Sequence, residues 1–342
     1  RRDGSSRFGP GKRFGDFGSV GLAWIISDES WIRSVIPEWM SFVKLRGSVG
    51  ITGSDNIGDY EFLSRWGNTL SLTNDRKQFS YMGLNSFSIL RALYQDFRWE
   101  STRKSELAAQ FGFLQNKMNL EISYYSNLSS NQLTQVPMPV YTGFQNVTAN
   151  WPAKVRNSGI EATLNWNVIT NKDWGLTFNF NIGRNRNKLV DFPGMEDTRF
   201  KSDYKIGDPL SVMYLLHYTG IDPLTGEYSF EDHNKNGVID NSGGVVPAAG
   251  RPDDRYVKLD LAPKYSGGFG FNVTWRQLAV STQFTFINKL SPDPYLQLRA
   301  GDMDNIMLPA DILENHWKKP GDIVKYAKFT TVSATSISGA VP

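Results

Sequence analysis

The segment from Asp232 to Asp240 has the residue types and spacing of a cation-binding loop. Side-chain oxygens stand at positions 1, 3, 5 and 9 of the segment and a glycine at position 6, as in calcium loops of the EF-hand type. At position 12, where such loops have a bidentate glutamate, the chain has Gly243. We therefore predict a weak Ca²⁺ site, to which Glu231 or an aspartate from elsewhere would add charge. Its predicted ligands are Asp232, Asn234, Asn236 and Asp240.

The alternative for the same segment is an Asn- and Gly-rich turn that its own side chains order without a metal. Other site chemistry is not expected. The chain has no cysteine, which excludes thiol catalysis, disulfides and Cys-ligated zinc. Its histidines, at 217, 233 and 316, are too far apart to predict a His-ligated metal or a His-centred triad.

Acidic pairs such as Asp253 and Asp254 are expected to be solvated loop charges, not general acids. Neither a P-loop nor a dinucleotide-binding motif is present. We therefore predict a protein that is not an enzyme and requires no cofactor. With 37 Lys and Arg against 34 Asp and Glu, the net charge is +3, so a nucleic-acid partner is not expected either.

Aromatic residues form an unusually large share of the chain. They make up 13% of it, with 10 Trp, 14 Tyr and 21 Phe, whereas charged residues make up 21%. A polar lumen combined with aromatic girdles is typical of a membrane β-barrel. No stretch approaches the ~20 apolar residues that a membrane helix needs.

Among the loop aromatics, Trp66, Trp99 and Trp151 are candidates for holding a sugar or a peptide, and the alternative is an interfacial girdle or loop packing.

Apolar and polar residues alternate along the predicted strands. In the segment 43–52, Val43 and Leu45 begin one face, and Lys44 and Arg46 begin the other. Two basic side chains on one face suit a wet lumen and would be costly toward lipid. Eight strands of about ten residues, the length that crosses a bilayer at a tilt, are predicted near 17–26, 41–52, 101–114, 117–127, 159–170, 173–185, 266–276 and 278–287. The residues predicted to face the lumen are Lys44, Arg46, Glu121, Asn165, Asn179 and Asn181.

The connections between these strands alternate in length. Tight turns are predicted at 115–116, 171–172 and 276–277, and the link 27–40 has room for a helical turn. The links 53–100, 128–158 and 186–265 are long, as is the segment from 288 onward. Short turns at one rim and long loops at the other are typical of outer-membrane barrels. Four hairpins would close only a narrow barrel filled by side chains. We therefore predict an all-β fold, an arc of a larger transmembrane antiparallel β-barrel with long extracellular loops.

Several segments resemble the SusC/RagA family of TonB-dependent outer-membrane transporters. The chain opens with RRDGSSRFGP at 1–10, followed by FGSV at 17–20 and AW at 23–24. The other similar segments are FVKLRGSVGITG at 42–53, WEST at 99–102, VRNSGIE at 155–161 and PKYSGGF at 263–269. They occur in the family's order and span nearly the whole chain. The family also often carries a loop similar to 232–240 in an extracellular region.

The resemblance implies a barrel of roughly 22 strands plugged by an N-terminal domain, surrounded by the lipid of a bacterial outer membrane. Such proteins import large nutrients, glycans or peptides, with energy from TonB and with a SusD-like surface lipoprotein as partner. In this interpretation residues 1–342 are part of a single barrel domain, and the plug, the TonB-binding region and the last strands are absent from the chain. The links 53–100 and 186–265 would contact the substrate and the lipoprotein.

Two other functions fit parts of the pattern. A passive outer-membrane porin would have the same strands without energy coupling. A soluble β-rich surface binding module, such as a lectin or an adhesin, would have apolar inner faces, and the Asn-rich faces of the predicted strands count against it. A hydrolase would need a paired-carboxylate cleft or a triad, and neither is recognisable in the sequence.

Overall fold

An antiparallel sheet of eight strands dominates the fold. The computed structural model describes residues 1–68, 80–85, 87–138, 140–144, 146–291 and 309–329. Its strands are β1 (Arg2–Gly4), β2 (Phe14–Asp16), β3 (Gly18–Ile25), β4 (Met40–Ser54), β5 (Arg65–Asn68), β6 (Ser80–Tyr81), β7 (Leu84–Asn85), β8 (Phe87–Arg91), β9 (Glu100–Phe113), β10 (Met118–Ser130), β11 (Gln132–Pro137), β12 (Asn146–Trp151), β13 (Lys154–Thr170), β14 (Trp174–Asp191), β15 (Val212–Leu215), β16 (Tyr218–Ile221), β17 (Tyr228–Phe230), β18 (Val257–Asp260), β19 (Tyr265–Trp275) and β20 (Leu278–Asn288). The α-helices are α1 (Ser30–Arg33) and α2 (Ala310–Glu314), and 3₁₀ turns lie at Ile26–Asp28, Val140–Thr142, Met195–Asp197 and Arg199–Ser202.

The large sheet is a simple meander. Its order is β3-β4-β9-β10-β13-β14-β19-β20, and it does not close on itself among the described residues. All eight predicted strands are confirmed, as is the all-β class. The largest extensions beyond the predicted bounds are in β13, which begins at Lys154 instead of 159, and β14, which ends at Asp191 instead of 185. The backbone pairing of these strands continues past the point where one face stops being apolar.

The tight turns lie where the sequence places them. Between β9 and β10, three consecutive residues, Leu114, Gln115 and Asn116, have positive φ values of 53°, 60° and 62°. This left-handed conformation is unfavourable for residues with a side chain. Residues at and just before the start of the neighbouring strand β4 compensate, because Leu114 N donates to Trp39 O at 2.9 Å and Gln115 N donates to Ser41 Oγ at 2.7 Å. The predicted helical turn in the link 27–40 is also confirmed, as α1 and the 3₁₀ turn before it.

The chain divides into two compact units, the first made of Arg1–Pro193 and Tyr265–Ile287 and the second of Gly194–Lys264 and Asn288–Pro342. The single barrel domain that the sequence predicts over 1–342 stays a prediction. In the first unit, the sheet itself buries few side chains, and every residue of β3 is exposed. The unit's buried cluster lies among its links instead, around Phe8, Phe62 and Phe97.

The second unit has its own small core. Two short hairpin-like pairs, β15 with β18 and β16 with β17, supply its strands. Val212, Tyr214 and Val246 form its buried apolar cluster. Asp254 and Arg255, both buried charged residues, also belong to this unit.

Candidate functional site

The six residues predicted to face a lumen lie on one face of the large sheet. Residues paired directly across antiparallel strands share a face, and the register joins Lys44 to Gln110, Gln110 to Glu121, Glu121 to Thr163 and Thr163 to Asn181. Arg46 lies on the same strand face, two residues from Lys44. A second row joins Asn119, Asn165 and Asn179. We call this side of the sheet the polar face.

Arg46 is the centre of a charged cluster on the polar face. Its Nη2 donates to Glu106 Oε1 at 2.9 Å and to Glu121 Oε1 at 2.6 Å. Gln110 Nε2 donates to the other oxygen of Glu121 at 2.6 Å. The three charged side chains are 38%, 42% and 35% exposed. Exposed pairs of this kind add little stability, so their main effect is to orient hydrogen-bonding groups toward solvent.

Side-chain amides continue the polar face toward the long links. Asn187 Nδ2 donates to Asn157 Oδ1 at 2.8 Å, and Tyr125 donates its hydroxyl hydrogen to Asn185 Oδ1 at 3.1 Å. Amides offer both donors and acceptors and do not change charge with pH. A surface of this composition can bind hydroxyl-rich or amide-rich molecules without requiring that they carry a charge.

The three loop tryptophans have different environments. Trp66 is 59% exposed. Trp99 packs against Phe8 and Phe17, with ring centroids 5.2 Å away in each case, and its Nε1 donates to Arg13 O at 3.0 Å. Trp151 lies edge-on to Phe192 at 5.0 Å. Packing therefore accounts for Trp99 and Trp151, which favours the loop-packing alternative for both, and Trp66 presents an open ring surface.

The predicted calcium loop folds around its own side chains. Asp232 accepts hydrogen bonds from Asn236 N at 3.2 Å and from Gly237 N at 2.7 Å. Asn236 Oδ1 accepts from Val238 N at 2.9 Å, and the side-chain amide of Asn236 donates to Asp240. Within the described ranges, no group of three or more His, Cys, Asp or Glu side chains is arranged to hold a metal ion. The Ca²⁺ site stays a prediction, and the side-chain-ordered turn is the geometry observed.

An aspartate from outside the loop does contact it. Asp254 is fully buried, and its two carboxylate oxygens accept from Asn234 N at 2.9 Å and from Asp240 N at 2.7 Å. The sequence also predicts Glu231 as a candidate source of negative charge for the loop. In the structure, Glu231 Oε2 instead lies 2.6 Å from His217 Nδ1 and accepts a hydrogen bond from the Tyr256 hydroxyl at 2.7 Å. The carboxylate of Asp254 therefore fixes both ends of the loop.

The prediction that Asp253 and Asp254 are solvated was wrong. The side chain of Asp253 is 3% exposed and that of Arg255 is 4% exposed, with 2.7 Å between Arg255 Nη2 and Asp253 Oδ2. Arg255 also donates to the carbonyl oxygens of Gly244 at 2.7 Å and Gly243 at 3.0 Å. Burial raises the pKa of Asp253, but hydrogen bonds from Arg255 and Ser242 outweigh that effect and hold the pKa well below its usual range. Asp253 is therefore an ionised partner of Arg255 and Ser242, and Asp254 fixes the loop through its two backbone hydrogen bonds.

A family model described as "TonB dependent receptor-like, beta-barrel" matches residues 1–301. The chain belongs to this family. TonB-dependent receptor P39 of Formosa agariphila is 26% identical over 99% of the chain and 36% of its own length. TonB-dependent receptor SusC of Bacteroides thetaiotaomicron is 29% identical over 72% of the chain and 26% of its own length.

The solved structure of the RagAB peptide transporter is also similar to this TonB-dependent receptor-like chain. It gives a TM-score of 0.69 with 25% identity, over 96% of this chain and 36% of that one. The resemblance to SusC and RagA is thus confirmed. The chain spans about a third of the length of the relatives P39 and RagAB. Separately, the described residues include no helix that is both long and apolar enough to span a membrane.

Within this TonB-dependent receptor-like sheet, sequence reasoning missed several polar-face residues. They are Glu106, Gln110, Tyr125, Asn157, Asn185 and Asn187. Strand parity would have found the first two, because both alternate with apolar residues on β9. Near the ends of β13 and β14 both faces are polar, so alternation alone does not say which residues share a side with Arg46.

Proposed function

We propose that this chain is part of an outer-membrane, TonB-dependent importer of large polar nutrients, glycans or peptides, and that it pairs with a SusD-like surface lipoprotein. The observation that carries the proposal is the separation of the two faces of one sheet. The polar face bears the Arg46 cluster and the rows of asparagines, whereas the opposite face bears residues such as Leu45, Ile122 and Phe180. A strand that separates water from lipid needs this division.

The relatives support the energy coupling and the class of cargo. SusC and P39 are named as TonB-dependent receptors, and RagAB is described as a peptide transporter. In the proposal, nutrients pass along the polar face by exchanging hydrogen bonds among amides and the Arg46 cluster. The exposed ring of Trp66 in the long link 53–100 would contact cargo before entry, and the long links would also contact the lipoprotein.

Uptake by cells that carry the full-length protein tests the transport role. We expect Asn165→Leu together with Asn179→Leu to reduce uptake of a labelled oligosaccharide or oligopeptide several-fold, because apolar side chains replace one row of hydrogen-bonding groups. The control is Leu164→Ile with Phe180→Leu on the opposite face, which should leave uptake unchanged. The amount of protein in the outer membrane is measured for both variants, so that a loss of assembly is not mistaken for a loss of transport.

A pull-down of the full-length protein from detergent-solubilised outer membranes tests the partner. One surface lipoprotein at a stoichiometric level would support the proposal and identify that partner by mass spectrometry. Recovery from the soluble fraction alone would contradict it. Uptake that persists in cells without TonB would indicate a passive porin instead.

A further inference from the structure

Five basic residues lie on the apolar side of the sheet, near one end of it. They are Arg103 on β9, Arg156 on β13, and Arg184, Arg186 and Lys188 on β14. Across adjacent strands, Arg103 is paired with Leu128, Leu128 with Arg156, and Arg156 with Lys188. Arg184 is paired with Ile160, which is paired with Tyr124 on the strand at its other side. The five cations therefore share a face with these apolar residues, not with Arg46, and we call them the basic rim.

The basic rim has no protein counter-charge in the described part of the chain. All five residues are exposed. The ion pairs found among the described residues involve none of them, in contrast to Arg46 on the polar face. A group of five like charges at close spacing repels itself unless anions neutralise it. Its position on the apolar face of the sheet, where all five side chains are exposed, means that such anions would come from the surroundings of the protein.

Strand length fixes the level of the rim relative to the apolar band. On this face, β14 carries Trp174, then Leu176, Phe178, Phe180 and Ile182, and then Arg184. Ten residues at ~3.4 Å each, tilted by about 45°, rise roughly 24 Å, close to the ~25 Å apolar band of an outer-membrane barrel. Trp174 packs against Trp275 with ring centroids 5.7 Å apart, in the manner of an interfacial girdle. Arg184 thus lies where lipid headgroups begin, and Arg186 and Lys188 lie beyond it.

An apolar hollow lies on the same face, where its lining residue Tyr124 is two strands away from Arg184 through Ile160. It has a volume of about 450 Å³ and surrounds Gly47, between Leu22 on β3 and Leu107 and Tyr124 on the neighbouring strands. A Cβ atom at Gly47 would lie 3.8 Å from Glu106 O and Leu107 Cδ1, so the absent side chain leaves a shallow floor to the hollow, with neighbours at ordinary van der Waals distance. Cations that share a face with an apolar hollow fit a phosphate that is attached to an acyl chain better than they fit a free phosphate ion.

We infer that the basic rim binds the phosphate groups of anionic lipid headgroups in the outer leaflet, and that the hollow at Gly47 accommodates part of an acyl chain. The inference rests on the proposed function only in placing the sheet in a membrane. Arginine suits this role because its planar group donates two parallel hydrogen bonds to phosphate oxygens. The lipid would then hold β13 and β14 at a fixed height in the bilayer.

Native mass spectrometry of the full-length protein in detergent tests this inference, with phosphatidylglycerol as the anionic probe and phosphatidylethanolamine as the zwitterionic one. We expect retention of phosphatidylglycerol to exceed that of phosphatidylethanolamine, and to fall about tenfold in Arg184→Gln/Arg186→Gln/Lys188→Gln. The matched control removes three exposed lysines elsewhere, Lys104→Gln/Lys201→Gln/Lys289→Gln, and should retain the lipid like the unmodified protein.

Equal retention of the two lipids, or equal loss in both triple variants, would overturn the inference. Displacement of phosphatidylglycerol by inorganic phosphate at millimolar concentration would also overturn it, because the rim would then be a site for the free ion. Heat-dependent gel mobility shows whether each variant is folded, and Arg184→Gln/Arg186→Gln replaces any triple variant that is not. A protein absent from the membrane fraction would contradict the proposed function, whereas a membrane-inserted protein without lipid preference would contradict this inference alone.

Discussion

Two arginine–carboxylate clusters in this chain have similar geometry and opposite surroundings. In the sheet, Arg46 contacts Glu121 at 2.6 Å, and the two side chains are 38% and 35% exposed. In the second unit, Arg255 contacts Asp253 at 2.7 Å, and the two side chains are 4% and 3% exposed. Water screens the first pair and leaves it free to exchange partners. The second pair is shielded from water, and removing one partner would leave the other charged and buried. Similar distances therefore occur in an exposed pair that can exchange partners in one case and in a buried anchor of the fold in the other.

The largest effect should follow from Arg255→Gln, which tests the buried side of this comparison. The free energy of unfolding of the second unit should fall by about 3–5 kcal/mol, because Asp253 and the carbonyls of Gly243 and Gly244 would lose their donor. Limited proteolysis within 194–264 measures the change. When the cleavage rate is proportional to the fraction of molecules in which this unit is unfolded, that rate should rise at least about 100-fold.

Arg251→Gln is the control for that variant, since Arg251 is an exposed arginine in the same unit. Its cleavage rate should match that of the unmodified protein. If Arg255→Gln were also cleaved at the unmodified rate, the pair would not anchor the unit, and burial would not be what separates the two clusters.

A smaller effect is expected from calcium, which tests whether the loop that Asp254 fixes is also a cation site. Loops of this kind with reduced charge bind Ca²⁺ at roughly 0.1–1 mM. At 10 mM Ca²⁺ the second unit would then gain about 1.4–2.7 kcal/mol, seen as slower proteolysis within 194–264. Asp232→Asn/Asp240→Asn should remove the gain, and Mg²⁺ should not reproduce it. Equal protection of the unmodified and variant proteins would show that Ca²⁺ acts elsewhere, and no protection of either would show that the loop is ordered by its side chains alone.

The two clusters also mark how far the sequence could predict this structure. The eight strands and their turns were predictable because apolar and polar residues alternate over about ten positions. This alternation can be read from residues that are adjacent in the sequence. The burial of Asp253 was not predictable, because it depends on carbonyls of Gly243 and Gly244 that the fold brings to Arg255. The role of Trp99 was left open between cargo contact and loop packing for the same reason, since its partner Phe8 lies near the start of the chain, far from Trp99 in the sequence.

The ends of β13 and β14 show a different limit. At 184–188 the residues are Arg, Asn, Arg, Asn and Lys, so hydropathy no longer distinguishes the two faces. Only the register, which pairs Arg184 with Ile160 and Asn185 with Gly159, assigns the cations to the apolar side and the amides to the polar side. A pattern in a single strand predicts that a strand exists, whereas pairing with its neighbours decides what each face does.

The smallest effect on stability should come from Arg46→Gln, which tests the exposed side of the comparison. The free energy of unfolding should change by no more than about 1 kcal/mol, because water replaces the guanidinium as a partner of Glu106 and Glu121. The temperature at which the folded band disappears in gel-mobility assays measures this, with Glu121→Gln as the matched variant that keeps Arg46 paired with Glu106. Uptake should nevertheless fall in Arg46→Gln, since two carboxylates without their cation change the charge that cargo meets on the polar face. A loss of stability as large as that of Arg255→Gln would mean that the polar face is not open to water at Arg46, and that its arginine anchors the sheet as Arg255 anchors the second unit.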